Sequence, residues 1–324
     1  MYSGRGNTGR GKFFLPFLFV VVALLLAVSV PVGCGQGTGT SADAAKQGKS
    51  TAAATIQIRG SDSEVNLVQR LAELFMEDHP GVQIAVTGGG SGTGIAALID
   101  GTIDIANSSR PMKEEEINQA RRNGIEPVPV RFAVDGVAVI VNESNPVETL
   151  SVAEIGAIFR GDITNWREVG GEDSPIGIYG RQSNSGTYVF FMETVLQGDY
   201  TPQMRNMGGN ADIVEAVTTD KTGIGYVAIG YVTDGGSVRP GIKPVKVSRN
   251  PGETSYTPIE LENITSGKYP ITRPLYQFLN GRPEGAVKDF IMFELSDRGQ
   301  KIVLEQGFYP ITDEDRKFNE NSLK

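Results

Sequence analysis

Residues 179–188 read YGRQSNSGTY and constrain the fold more than any other stretch of this chain. Before them, residues 175–179 alternate small and apolar side chains, as a short strand does. After them, residues 188–196 have the pattern of a helix, and Gly198 is expected to end it. The sequence therefore predicts a strand, a polar loop and a helix, with the Ser-Gly-Thr of the loop at the start of the helix.

The start of this helix has the composition of an anion-binding site. The first N–H groups of a helix have no partner within the helix, and the helix dipole places partial positive charge there. Gly186 allows close approach to the backbone, Ser185 and Thr187 add hydroxyl donors, and Arg181 adds a planar cation. Because Ser is also a preferred helix cap, the stretch fits either a tetrahedral-anion site or a simple cap beside a surface arginine.

Two earlier turns have the same composition. Residues 91–94, SGTG, follow a predicted strand at 82–87 and open a short helix. Residues 60–64, GSDSE, follow the strand-like residues 56–58 and open a predicted helix at 64–78. Three such turns predict three helix N-termini that face one negatively charged ligand.

The composition indicates a folded protein with many loops. The chain has 324 residues, of which 39% are hydrophobic and 41 are glycine, and roughly 100–200 residues per domain leaves room for two cores. The formal net charge of -8 argues against nucleic acid as a partner. It does not argue against an anionic ligand, because a helix dipole and one arginine dominate the local field in a cleft.

The chain has few of the residues that hydrolytic chemistry needs. His79 is the only histidine, and it follows a predicted helix, where a cation is favourable. A Ser-His pair or a histidine-bound zinc would have to use this residue. No P-loop motif and no metal-binding cluster are present in the sequence. We therefore predict that the protein is not an enzyme and needs neither metal nor cofactor.

The first 33 residues have the pattern of a targeting segment. A basic start precedes the apolar run at 13–30, and the residues before Cys34 resemble a bacterial lipobox, with Pro31 where Leu is usual. The apolar run is nearly long enough to span a bilayer, so an uncleaved anchor is the alternative. We predict a signal peptide at 1–33, lipidation of Cys34, the only cysteine, and a flexible tether at 34–55.

Two apolar runs, 128–142 and 272–279, have the pattern of strands that cross between two lobes. Asp135 stands just before the most apolar part of the first run, residues 137–141, an unusual place for a carboxylate without a role or a buried partner. We predict an α/β fold with two lobes, each a mixed sheet flanked by helices, hinged at the crossing strands with a ligand cleft between them. The predicted segments are lobe 1 at 56–141 and 273–316, lobe 2 at 142–272, and a polar tail at 317–324.

In their order and spacing, seven segments of the chain resemble the phosphate-binding proteins of bacterial ABC-type phosphate importers. These proteins belong to the type 2 periplasmic binding protein superfamily, and the resemblance extends over about residues 56–311. The segments that carry it are 60–63 (GSDS), 89–94 (GGSGTG), 104–110 (DIANSSR), 135–142 (DGVAVIVN), 158–166 (IFRGDITNW), 181–187 (RQSNSGT) and 223–226 (GIGY).

The resemblance implies a phosphate site with contributions from both lobes. The implied contacts are Ser63, the N–H of Glu64, Ser91, Arg181, Ser185, Gly186 and Thr187.

Ser109 is a further candidate, because it follows a predicted buried strand and can donate to a ligand. Some members of the family carry a carboxylate at this position, which faces the phosphate. The similar branch with Asp-Gly before the crossing strand implies that Asp135 takes over that role. Two further departures concern Asp62-Ser63, where a Ser-Thr pair is usual, and Ser183, which replaces an acidic residue that often braces the arginine.

The resemblance implies a monomeric, extracytoplasmic lipoprotein that captures inorganic phosphate and delivers it to an ABC transporter permease. Three alternatives remain at this point. In the first, the same fold binds sulfate or molybdate. In the second, the protein is a phosphate sensor or surface protein without a permease. The third is an enzyme acting on phosphate esters, against which the single histidine argues.

Overall fold

The structure is a computed structural model that describes residues 54–324. The predicted signal peptide, Cys34 and nearly all of the predicted tether lie outside these residues. Within the described part, no helix combines the length and the apolar character that crossing a bilayer requires.

Strands and helices alternate along most of the described chain. The strands are β1 (Ala54–Gly60), β2 (Val82–Thr87), β3 (Ile105–Ser108), β4 (Pro127–Asn142), β5 (Thr149–Ser151), β6 (Gly177–Arg181), β7 (Arg205–Met207), β8 (Gly223–Ala228), β9 (Thr233–Asp234), β10 (Ser237–Val238), β11 (Ile242–Pro244), β12 (Lys246–Ser248) and β13 (Thr272–Asn280). The helices are α1 (Val65–Asp78), α2 (Ser91–Ile99), α3 (Glu114–Arg122), α4 (Val152–Arg160), α5 (Gly186–Phe191), α6 (Asn210–Thr219), α7 (Leu261–Thr265), α8 (Gly285–Leu295), α9 (Asp297–Glu305) and α10 (Asp313–Ser322).

Strand β4 joins the two lobes. Its residues 127–136 pair antiparallel with β13, and residues 137–141 pair antiparallel with β8. The strand therefore changes partner between Gly136 and Val137, a few residues before the predicted boundary at 141. Residues 137–141 are fully buried, as expected of a strand covered on both faces.

One sheet runs through the described part of both lobes. Its strands follow the order β2-β1-β3-β13-β4-β8-β6-β7, and β11 pairs with the end of β4. The strands β1, β2 and β3 are parallel to one another, whereas β13 is antiparallel to both of its neighbours. This mixed pattern matches the predicted α/β class, and it directs the ends of β1 and β6 toward the boundary between the lobes.

Two of the helices that follow the polar turns, α2 and α5, begin a few residues earlier than the sequence predicts, whereas α1 begins one residue later, at Val65. Helix α2 starts at Ser91, so the SGTG segment is the first turn of the helix and does not precede it. Helix α5 starts at Gly186 and continues as a π-helical turn at Met192–Leu196. Helix α1 buries Leu67, Val68, Leu71 and Phe75 at helical spacing, and Leu74 is half-buried.

The predicted polar tail is instead part of a helix. The hydroxyl of Thr312 accepts from the N–H of Asp315 and caps α10. Asn319 bonds with the backbone of Arg131 on β4 in both directions, at 2.7 and 2.8 Å, and Arg131 lies over the ring of Phe318. Polar side chains therefore fix this helix to the sheet through specific hydrogen bonds.

Candidate anion-binding site between the lobes

The first polar turn links β1 to α1 and brings Ser63 to the second lobe. Glu64 is the N-cap residue of α1, and Ser63 lies just before it, fully buried. The hydroxyl oxygens of Ser63 and Thr187 are 2.8 Å apart. Residues more than a hundred positions apart in sequence thus share one hydrogen bond across the lobe boundary.

The second polar turn, at the start of α2, meets the end of β3. The N–H of Ser109 donates to the hydroxyl of Ser91 at 3.1 Å, and the two hydroxyl oxygens are 3.3 Å apart. The N–H of Gly92 donates to the carbonyl of Asn184 in the second lobe at 2.9 Å. This turn therefore offers hydroxyl groups to a ligand, while at least one of its N–H groups is bound to the opposite lobe.

The third polar turn, between β6 and α5, rests directly on these hydroxyls. A Cβ added to Gly186 would lie 2.3 Å from the Ser91 oxygen and 2.6 Å from the Ser109 oxygen. Only glycine fits at this distance. The hydroxyl of Ser185 accepts from the N–H of Tyr188, so the capping alternative is correct for Ser185, although its hydrogen remains available to donate.

Arg181 is buried at the end of β6, with 1% of its surface exposed. Its Nη2 donates to Oδ2 of Asp62 at 2.5 Å and to the carbonyl of Gly208 at 3.1 Å. Its Nε and Nη1 are buried and have no hydrogen-bond partner among residues 54–324. The surface-arginine alternative is excluded, and buried donors of this kind need an acceptor.

Arg273 on β13 is a second buried arginine, which the sequence did not identify as a site residue. Its Nε and Nη2 donate to Oδ2 of Asp135 at 3.0 and 2.7 Å, and Nη2 also donates to Thr187 at 2.9 Å and Ser63 at 3.3 Å. Its Nη1 has no partner among the described residues. The signal in the sequence was a charge of opposite sign on each crossing strand, and the register places Arg273 opposite Asp135.

Asp135 has the buried partner that its position in an apolar strand requires. Its side chain is fully buried, Oδ2 accepts both bonds from Arg273, and Oδ1 accepts from the N–H of Ile229 at 3.0 Å. A carboxylate offers about four acceptor positions, so Oδ1 has one left for a ligand.

The carboxyl group of Glu64 is buried without a hydrogen-bond partner among residues 54–324. Burial raises its pKa well above the ordinary range; the charge of Arg273 opposes this shift, and Asp135, Glu294 and Asp62 add to it. The carboxyl is therefore neutral over a wider pH range than an exposed glutamate. Each of the two arginines pairs with one aspartate, Asp62 or Asp135, and the remaining N–H donors of the arginines are left for a ligand.

Glu294 on α8 is a second buried carboxyl, held by Nε2 of Gln277 at 3.2 Å. Burial raises its pKa well above the ordinary value, more than the Gln277 bond lowers it. Above a pH of about 4.5 the unfolded chain loses this proton while the folded chain keeps it, so the free energy of unfolding falls as pH rises toward the folded pKa.

Glu294→Gln is expected to stabilise the protein by about 1 kcal/mol or more at pH 8 and by less at pH 5. Urea unfolding at both pH values checks this. The exposed Glu320 provides the control, since Glu320→Gln is expected to change neither value. Equal effects of Glu294→Gln at the two pH values would contradict the pKa direction.

The structure brings the predicted residues to one buried region at the lobe boundary. The predicted residues in this region are Ser63, Glu64, Ser91, Ser109, Asp135, Arg181, Ser185, Gly186 and Thr187. Hydrogen bonds or close contacts connect most of them, whereas the Glu64 side chain makes none. The described residues contain no group of three or more His, Cys, Asp or Glu side chains placed to hold a metal ion.

Comparisons with known proteins identify the family of the chain. The profile of the PBP superfamily domain, PBP_like_2, matches residues 45–298. The phosphate-binding protein PstS of Bacillus subtilis is 34% identical over 84% of this chain and 85% of its own length. The protein of the same name from Pseudomonas aeruginosa is 31% identical over 82% of this chain and 85% of its own length.

Solved structures show the same likeness. A putative phosphate ABC transporter substrate-binding protein from Clostridium perfringens, with bound phosphate, has a TM-score of 0.71 and 30% identity, covering 80% of this chain and all of its own. An ABC-type phosphate transport receptor from Vibrio cholerae has a TM-score of 0.63 and 29% identity, covering 79% of this chain and all of its own. The chain has the two-lobed type 2 periplasmic binding protein fold and belongs to the PstS family of phosphate-binding proteins.

Proposed function

We propose that the protein captures inorganic phosphate between its two lobes. The observation that carries this proposal is the pair of buried arginines, Arg181 and Arg273, whose Nε and Nη1 atoms include three donors without partners among residues 54–324. Guanidinium groups bind phosphate oxygens strongly and with defined geometry. Phosphate-binding relatives of similar length and the bound phosphate of the Clostridium perfringens structure give further support.

In this proposal the two lobes hold the anion from opposite sides. The first lobe contributes the hydroxyls of Ser63, Ser91 and Ser109 and the N–H of Glu64. The second lobe contributes Arg181 together with the loop residues 185–187. Asp135 is the carboxylate that accepts the proton of phosphate, with Oδ1 as the available oxygen.

Calorimetric titration tests the proposal. The purified protein is unfolded and refolded to remove bound anions, and phosphate, sulfate and molybdate are then titrated separately. We expect phosphate to bind at micromolar or lower concentration, about -8 kcal/mol or stronger, and sulfate to give no heat. A preference for sulfate or molybdate would replace the ligand and keep the anion site. Absence of heat with every oxyanion would contradict an anion site, and turnover of p-nitrophenyl phosphate would favour an enzyme.

Gly186→Ala is expected to weaken phosphate binding by about 1–3 kcal/mol, the usual cost of an added methyl in a packed region. The new Cβ would overlap the hydroxyls of Ser91 and Ser109 and hold the lobes apart. Gly81→Ala is the matched control, because a Cβ there meets nothing within 4 Å. Wild-type affinity in Gly186→Ala would mean that the lobes do not approach this closely around phosphate.

We also propose that the protein works outside the cytoplasm, anchored through Cys34, and delivers phosphate to an ABC transporter permease. The targeting pattern of residues 1–34 and the names of the relatives support this. Incorporation of a labelled fatty acid at Cys34 tests the anchor, and phosphate uptake by cells lacking the protein tests delivery. Unlabelled protein would favour the uncleaved anchor, and unchanged uptake would favour a sensor or surface role.

A further inference from the structure

Asp62 belongs to the first lobe and is held there firmly. Its Oδ1 accepts from the N–H of Gly89 at 2.8 Å, and a Cβ on Gly88 would lie 2.3 Å from the same oxygen. The glycine-rich loop after β2 therefore packs directly on this carboxylate. The Asp62 carbonyl accepts from the hydroxyl of Tyr231 at 2.8 Å, a contact with the second lobe.

Arg181 belongs to the second lobe, yet its ion pair is with Asp62. Among the described residues, no other acidic side chain forms an ion pair with Arg181. The loop that follows it, 182–185, has no acidic residue, so this loop cannot supply a carboxylate to orient the guanidinium. The orientation of Arg181 thus depends on the Gly208 carbonyl in its own lobe and on a carboxylate from the opposite lobe.

We propose that Asp62 is the positioning residue for Arg181, and that Arg181 reaches its anion-binding orientation only when the two lobes close. This inference rests on the proposed capture of phosphate. Closure of the lobes brings the Asp62 carboxylate to Arg181 and orients its guanidinium. Lobe closure and the final contact of Arg181 with the anion therefore occur together. Arg181 binds the anion weakly while the lobes are apart and more strongly once they have closed.

The hydrogen bonds of the Arg181 guanidinium are consistent with this role of Asp62. Asp62 engages Nη2 alone, while Nε and Nη1 have no partner among residues 54–324 and remain for the anion. A different role for Asp62, simple repulsion of anions from the site, predicts the opposite effect of its removal. Neutralising a repulsive carboxylate strengthens anion binding, whereas neutralising a positioning carboxylate weakens it.

The test compares the full-length wild type with Asp62→Asn, Arg181→Lys and the double variant. Calorimetry gives phosphate affinity, stopped-flow mixing gives the phosphate dissociation rate, and ¹⁵N NMR of the arginine side chains reports the mobility of the Arg181 guanidinium. Asp173→Asn, which removes an exposed ion pair with Arg167, is the matched control.

We expect Asp62→Asn to weaken phosphate binding by about 10- to 100-fold, mainly through faster dissociation. With phosphate bound, the Arg181 guanidinium is expected to be immobile in the wild type and mobile in Asp62→Asn. The double variant is expected to bind about as weakly as Arg181→Lys alone, because both changes remove one coupled interaction. Asp173→Asn should resemble the wild type in each measurement.

Unchanged or tighter phosphate binding by Asp62→Asn, additive losses in the double variant, or an immobile guanidinium in Asp62→Asn would each overturn the inference. If Asp62→Asn does not fold, Asp62→Glu replaces it, because the extra methylene displaces the carboxylate while keeping its charge. Wild-type dissociation and mobility in that variant would also overturn it. A wild type that binds no phosphate would defeat the proposed function and this inference with it, whereas any of the outcomes above in a wild type that binds phosphate would overturn the inference alone.

Discussion

Arg181→Ala is expected to weaken phosphate binding by about 3–5 kcal/mol, which corresponds to roughly 150- to 5,000-fold. Two effects add in the same direction. The variant loses the buried donors Nε and Nη1, and it leaves the Asp62 carboxylate without its arginine beside an anion. Calorimetric titration with phosphate measures the loss directly.

The control for this variant is Arg167→Ala, which removes an arginine of the same lobe whose side chain is 66% exposed. An exposed ion pair contributes little, so phosphate affinity should not change. Thermal unfolding of both variants separates a binding defect from loss of the fold. A loss below about 1 kcal/mol in Arg181→Ala would mean that Arg181 does not contact the anion.

Asp135→Asn is expected to reduce the preference for phosphate over sulfate strongly. Near neutral pH phosphate still carries a proton and sulfate does not. A buried carboxylate accepts a hydrogen bond from phosphate but faces sulfate as a like charge, and sites with such unpaired groups reject an analogue by about 10⁴- to 10⁵-fold. Asn removes the charge, so sulfate should gain relative to phosphate.

The ion pair of Asp135 with Arg273 affects the interpretation of the measured affinities. Asp135→Asn also weakens the hold on Arg273, so the affinities for both anions are expected to change. The ratio of the two affinities, from competition titration, is therefore the informative quantity. The exposed Asp173→Asn should leave the ratio unchanged. An unchanged ratio in Asp135→Asn would transfer the proton-accepting role to another carboxylate, such as Asp62.

The sequence was sufficient to predict the parts of the fold that depend on local pattern. The apolar run of β4, the strand β2 and the helix α1 were predicted from alternation and helical spacing, since each buries a continuous face. The polar turns were predicted because glycine and small hydroxyl residues between a strand and a helix have few other uses.

The remaining features depend on partners distant in the chain. Arg273 was read only as part of a crossing strand, although it pairs with Asp135, which lies 138 positions earlier. The partner of Arg181, Asp62, lies 119 positions earlier and in the other lobe. Helix α10 has a polar sequence that gives a weak local signal, and its contacts with β4 stabilise it. Local periodicity carries no information about such pairings.

The position of β13 determines when the molecule can be completed during synthesis. In the sheet β13 lies between β3 and β4, yet in the chain it comes after the whole second lobe. The sheet of the first lobe therefore lacks the strand between β3 and β4 until residues 272–280 have been synthesised. Because Arg273 lies on that strand, the binding site cannot be complete before β13 is in place, and a chain truncated before β13 would have neither a closed sheet nor a complete site.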